Sequence, residues 1–125
     1  MSAETTFRAA LLAHAPLVAL VQQRVAANAA NQTDAFPYCA FQAAHDPQRG
    51  LDGVKQVDHV TFTVECWGQT AVQAGAVGDA VEAAIDAYAL VAPATVSATV
   101  LARVDGFDGE LGLDGAVLTV DWWQQ

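Results

Sequence analysis

The clearest alternation in the chain runs through VDHVTFTVECW at 57–67. Val60, Phe62, Val64 and Cys66 fall on one face of an extended strand, and His59, Thr61, Thr63 and Glu65 on the other. FPYCAFQAAH at 36–45 reads the same way, with Cys39, Phe41 and Ala43 sharing a face. Between the two, DPQRGLDGVKQ carries Asp52-Gly53 and strong turn chemistry. A hairpin folded about Leu51 and Asp52 pairs Cys39 with Cys66, Phe41 with Val64 and Ala43 with Phe62, so the apolar faces coincide. A slip of two residues would also keep the faces. TVSATVLARV at 95–104 puts Val96, Ala98, Val100, Ala102 and Val104 on one side. In AVLTVDWWQ at 116–124, Ala116, Leu118, Val120 and Trp122 line one face and Val117, Thr119, Asp121 and Trp123 the other. The adjacent tryptophans therefore point in opposite directions, and only one of them enters a given core.

Elsewhere the period becomes helical. SAETTFRAALLA at 2–13 reads as an amphipathic helix with Ser2 as N-cap, Glu4 at the positive end of the dipole, and Phe7, Ala10 and Leu11 on one face. Pro16 interrupts that pattern and begins a short second helix, PLVALV. Residues 26–35 read as a loop, and extended backbone around Val25 is compatible with the pattern. Thr70 and Gln73 form a capping-box pair ahead of a helix reaching about Ala87. Ala74, Val77, Val81, Ala84, Ile85 and Tyr88 mark its buried stripe. DGFDGELGLDG forms a second turn before the last strand. The main order is helix, strand, strand, helix, strand, strand. That predicts an α+β fold: an antiparallel four-stranded sheet of two hairpins with two helices packed on one face, and residues 1–125 as a single domain. The far side of the sheet is left bare or covered by a neighbour.

Composition sharpens this picture. Hydrophobic residues make up 54% of the 125 and charged ones only 15%. That is apolar for a monomer's surface, and oligomerisation accounts for part of the excess. The formal net charge is −9, from 14 acidic and 5 basic residues. Tight nucleic-acid binding needs clustered Lys and Arg, and anionic membranes repel such a surface. LLAHAPLVALV is broken by His14 and Pro16 and is too short to span a bilayer. Glu4 and Arg8 precede it without a basic start, so no signal peptide is expected and the cytoplasm is the default.

Candidate chemistry is sparse. Cys39 and Cys66 form either a disulfide or, as a reducing cytoplasm favours, two core thiols on adjacent strands. His14, His45 and His59 lack zinc spacing. His45 and His59 flank one hairpin, either approaching each other or standing as exposed strand-end residues. Asp105, Asp108, Glu110 and Asp114 depart from the EF-hand pattern and suit a solvated loop. No catalytic set is visible from local motifs, so the chain reads as non-enzymatic, with no metal or cofactor implied.

LLAHAPLVALVQQRV, then FPYCAFQ, then VTFTVECWGQTAVQAGAVGDAVEAAID, ending in a strand with aromatics, resembles the tail-completion proteins of long-tailed phages, the tail terminators or head-to-tail joining proteins. The resemblance covers nearly the whole chain. Its most specific parts are FPY-x-x-F at 36–41 and VECWGQT at 64–70. It implies a structural virion protein of the tail or neck, assembled in the host cytoplasm. Such proteins form a ring, typically hexameric, on the head-proximal end of the tail tube. The ring stops tube polymerisation and meets the head connector, and DNA passes through its lumen without specific binding. The family carries no catalytic residues.

High apolarity suits a ring subunit, which buries two different patches head to tail. The hairpin turn around Arg49 and Lys55 is the candidate docking arm, with a solvated turn as the alternative. Trp123 is either an interface anchor or packed beneath the N-terminal helix. Two other readings compete: a small cytoplasmic dimeric α+β module binding a ligand or protein in a pocket between sheet and helices, and an enzyme assembled from His45, Asp58, His59 and Glu65.

Overall fold

The computed structural model describes residues 2–22, 24–27, 37–108 and 113–125. Phe36 of the FPY segment, most of the loop predicted at 26–35 and Glu110 lie outside the described residues. The elements run α1 (Ala3–Leu12), α2 (Ala15–Val21), β1 (Val25–Ala27), β2 (Tyr38–Arg49), β3 (Lys55–Gly68), α3 (Ala71–Val91), β4 (Val96–Asp108) and β5 (Leu113–Gln124).

Local chemistry places most of these. Ser2 caps α1 by accepting from the Thr5 amide at 3.2 Å. Pro16 sits at the start of α2, where its missing N–H is no loss. At α3, Thr70 Oγ1 accepts from the Gln73 amide at 3.1 Å. Gln73 returns the contact one residue early, to the Gln69 amide at 2.8 Å.

The hairpin β2–β3 has the expected register: Cys39 pairs with Cys66, Phe41 with Val64 and Ala43 with Phe62. The sheet as a whole departs from the expected antiparallel four-stranded one. It has five strands in the order β1-β2-β3-β5-β4, and β1 runs parallel to β2. Among the described residues three helices accompany it, in the order α-α-β-β-β-α-β-β. The reason lies in β1, which is only three residues long. No period is measurable over three residues, and its pairing is non-local. The Cys39 amide donates to Arg24 O at 2.9 Å, Arg24 Nε to Pro37 O at 2.9 Å, and Arg8 Nε from α1 to Val25 O at 2.9 Å. Contacts between distant segments thus create the parallel pair.

The core lies between the helices and one sheet face. Phe7 of α1 stacks on Phe62 with centroids 4.0 Å apart and meets Phe41 and Trp122 edge-on. Tyr88 of α3 lies flat against Trp122. Val77, Val81, Ala84 and Ile85 complete the predicted stripe of α3, all buried. Each large side chain removed from water here contributes about 1.5–3 kcal/mol before entropy is counted.

β4 departs from simple alternation. Val100 pairs with Val120, and the next paired residue, Ala102, faces Thr119. Leu101 is the extra residue of a β-bulge, and beyond it the faces exchange. Ala98 is buried as expected, but Ala102 and Val104 are exposed. Arg103 instead turns toward α3, where it meets Asp79 and Gly75.

Candidate interaction surface

The second face of the sheet carries no described helix. Its rows hold Thr61, Thr63 and Glu65 from β3 and Val117, Thr119 and Asp121 from β5, all partly exposed. Near one end, Trp67 lies over Gly115: a Cβ there would stand 2.9 Å from the indole, so the glycine makes room for the ring.

At the other end stands Trp123. Trp122 is fully buried, whereas Trp123 is 36% exposed, on the side away from α1. Packing beneath the N-terminal helix is thereby excluded. Trp123 stacks on its cross-strand partner His59, with centroids 3.9 Å apart and planes 5° from parallel. Asp121 ties the two together: Oδ2 accepts from the indole Nε1 at 3.0 Å and Oδ1 meets His59 Nε2 at 2.5 Å. Asp46 lies 4.0 Å from His59 Nδ1. Parity alone puts Asp121 beside Trp123, two residues back on the same face. The role of Asp46 needed the register of β2 against β3.

His45 is on the opposite face, at the edge of the helix layer. Its Nδ1 lies 2.9 Å from Asp58 Oδ2, and its Nε2 contacts Glu4 Oε1 of α1. Only the doubly protonated ring donates to both. The hydrogen bond to Glu4, opposed by burial and aided by Asp58, raises the imidazole above its ordinary pKa of 6.5. Burial lifts the Glu4 carboxyl, but the hydrogen bond from His45 outweighs it with other contacts and leaves the group below 4.5. The two histidines therefore do not approach each other. Of the four residues offered for an enzyme site, His45 and Asp58 lie on the helix side and His59 and Glu65 on the other, so no single pocket joins them. The strand parities already separated them.

The hairpin tip is built for order. Gly53 takes φ +80°, and Asp52 Oδ1 accepts from the Val54 amide at 3.0 Å. Arg49 Nη1 donates to Gly53 O at 3.0 Å, closing the turn instead of reaching outward. Lys55 pairs with Arg49 across a bulge. The tip presents Leu51, fully exposed, and Val54.

All four arginines hold the fold together. Arg8, Arg24 and Arg49 bond main-chain carbonyls, and Arg103 bonds Asp79 at 2.5 Å and Asp105 at 2.9 Å. Cys39 and Cys66 are free thiols, buried, with Sγ atoms 3.8 Å apart. The contact with Cys39, together with burial, pushes the Cys66 thiol well above its usual range. A cavity of about 260 Å³ opens among Ala10, His14, Ala84 and Tyr88 between the helices. Another of about 300 Å³ lies at the start of α3, beside Asp105 and Asp114.

An α+β chain with a sheet face that no described helix covers, and a hairpin with an exposed apolar tip, is a scaffold that offers contact surfaces. Residues 5–125 match the family described as "Tail completion protein gp17", and the chain belongs to that family. It is a structural protein of the virion, of the tail or neck. Fourteen chains of solved structures match it. One, from a structure described as "Virion of native gene transfer agent (GTA) particle", is similar in fold with a TM-score of 0.70 at 18% identity, over 94% of this chain and 90% of that one. Comparison with curated proteins found no match.

Proposed function

We propose that this protein is a tail terminator: a ring, hexameric in the simplest case, on the head-proximal end of the tail tube. There it ends tube polymerisation and receives the head connector, and it acts by assembly without catalysis. Membership of the tail completion family over residues 5–125 carries this reading. The geometry supports it. A ring needs two different patches on each subunit, because head-to-tail contacts are heterologous. Exposed apolar residues fall into separate places: Leu51 and Val54 at the hairpin tip, Leu101 and Val104 on the edge strand β4, and Leu90 and Val91 at the end of α3. In this reading the hairpin is the docking arm, with Leu51 and Val54 as its contact residues and Arg49 and Lys55 at its base. Trp123 is an anchor on the bare face. The charge of −9, with each arginine hydrogen-bonded within the chain, suits a lumen through which DNA slides without being held.

The test is assembly with the gene removed. Tails of uncontrolled length, or full heads that never join tails, are expected by electron microscopy, and adding back the protein restores joining. Normal tails and normal joining in its absence overturn the proposal. Compact dimers that never associate with tubes would favour a small binding module.

A further inference from the structure

We infer that Cys39 and Cys66 are a modification site: thiols while the protein is made in a reducing cell, they close to an intramolecular disulfide in the released virion. A virion leaves the cell for oxidising surroundings, where disulfides form and persist, and this chain is part of one. The two residues are direct cross-strand partners of β2 and β3. The Cys39 amide donates to Arg24 O, toward β1. Its main-chain groups thus point away from β3, which makes Cys39–Cys66 a non-hydrogen-bonded pair. In that class the Cα atoms stand about 4.5 Å apart and the side chains come closest. This spacing lies within the range that a disulfide bridges, about 4.4–6.8 Å. The Sγ atoms already lie 3.8 Å apart. Bonding needs about 2.0 Å, so the two side chains share a movement of about 1.8 Å. Bonded sulfurs take less room than touching thiols, so the packed core need not expand.

The place of the pair gives the bond something to hold. Among the described residues, β2 meets β3 on one side and only the three residues of β1 on the other, opposite Cys39, Ala40 and Phe41. Its remaining length, out to Arg49, is paired with β3 alone. The bond would tie β2 to β3 at the end remote from the turn, between residues 27 positions apart. The chemistry is exchange with a small-molecule disulfide such as oxidised glutathione. One cysteine thiolate attacks a sulfur of the reagent, and the first glutathione leaves. The second cysteine attacks the protein sulfur of that mixed disulfide, and the second glutathione leaves. Two protein thiols are oxidised, one reagent disulfide is reduced, and the two thiol protons end on the two glutathiones. Both cysteines are fully buried, so the mixed disulfide forms while β2 is open and resolves as it closes. The same burial shields the finished bond from reductants.

The experiment places the whole protein in glutathione buffers of graded redox ratio and approaches equilibrium from both the reduced and the oxidised side. Acid quenching, alkylation and peptide mapping by mass spectrometry read the fraction in which Cys39 is joined to Cys66. The same titration in urea, above the unfolding transition, gives the unfolded reference. The folded protein is expected to keep the bond at a ratio of reduced glutathione squared to oxidised glutathione at least about tenfold higher than the unfolded chain does. Particles collected from the medium and alkylated in denaturant should yield the linked peptide, and cells alkylated before lysis two free thiols. Equal or weaker bonding in the folded protein, mixed glutathione disulfides at equilibrium, or free thiols in the released particles overturns the inference. None of these readouts depends on tail length or joining, so failure here is distinct from failure of the terminator reading.

Discussion

The guanidinium of Arg103 lies across Gly78. A Cβ on that glycine would stand 2.9 Å from Nη2 of Arg103 and 3.1 Å from Cβ of Ala116. The contact exists because the bulge at Leu101 turns Arg103 toward α3, where Asp79, Asp105 and the Gly75 carbonyl hold it.

Gly78→Ala therefore behaves unlike an ordinary helix substitution. Helix propensity alone would add about 1 kcal/mol of stability. Here Arg103 must leave its carboxylates or α3 must move off Ala116, and overpacking of this kind costs about 1–3 kcal/mol. A net loss is expected in urea unfolding, smaller in an Arg103→Ala background, where one of the two obstacles is gone. Gly75→Ala is the control: its Cβ meets nothing within 4 Å, and a gain of about 1 kcal/mol is expected.

The two neighbouring tryptophans should separate folding from assembly. Trp122 is fully buried against Phe7, Phe62 and Tyr88. Its replacement by Ala should cost about 3–5 kcal/mol. Trp123→Ala removes one stacked pair on the open face and should cost about 1 kcal/mol in the same unfolding measurement. If the two variants were equally damaging, Trp123 would belong to the core.

The clamp of His45 between Glu4 and Asp58 should make stability depend on pH. His45 titrates higher in the folded protein, so its contribution is complete below 6.5 and is lost as pH rises through the raised value. Glu4 titrates lower when folded, so its contribution is present above 4.5 and fades as pH falls through the depressed value. The clamp is thus strongest between about pH 4.5 and 6.5. Thermal unfolding of His45→Gln should show a smaller fall in Tm between pH 6 and 8 than the parent protein. Parallel curves would show that the clamp contributes nothing.

The cysteine pair predicts slow chemistry and a tight fit. Cys66 is buried, and its thiol is pushed up by Cys39 and by burial, so little thiolate forms. Iodoacetamide should label neither cysteine in the native protein and both after unfolding, as read by mass spectrometry. Cys66→Ala should cost about 1 kcal/mol as a small cavity, and Cys66→Ser more, because the hydroxyl is desolvated in an apolar site.

Much of this was written in the alternation of residue types. The register of Cys39 on Cys66 is the one given by a turn about Leu51 and Asp52; coincident apolar faces rule out a one-residue slip but not a slip of two. The opposed directions of Trp122 and Trp123 followed from the same rule. So did the split of His45 from His59, once parity is carried along both strands. The caps at Ser2 and Thr70 are local hydrogen-bonding chemistry, legible within four residues.

Tertiary structure decided what no window contains. β1 is extended because Arg8 bonds the Val25 carbonyl from α1, while Arg24, just before β1, accepts from the Cys39 amide and donates to the Pro37 carbonyl, and these contacts make the sheet mixed and five-stranded. Leu101 bulges out of β4, which reverses the faces of Ala102, Arg103 and Val104 and sends the charge, not the valine, to α3. The physical division is between range and period. A side chain's face is fixed by its neighbours two or four positions away, whereas the partner it meets depends on segments tens of residues distant, chosen by packing.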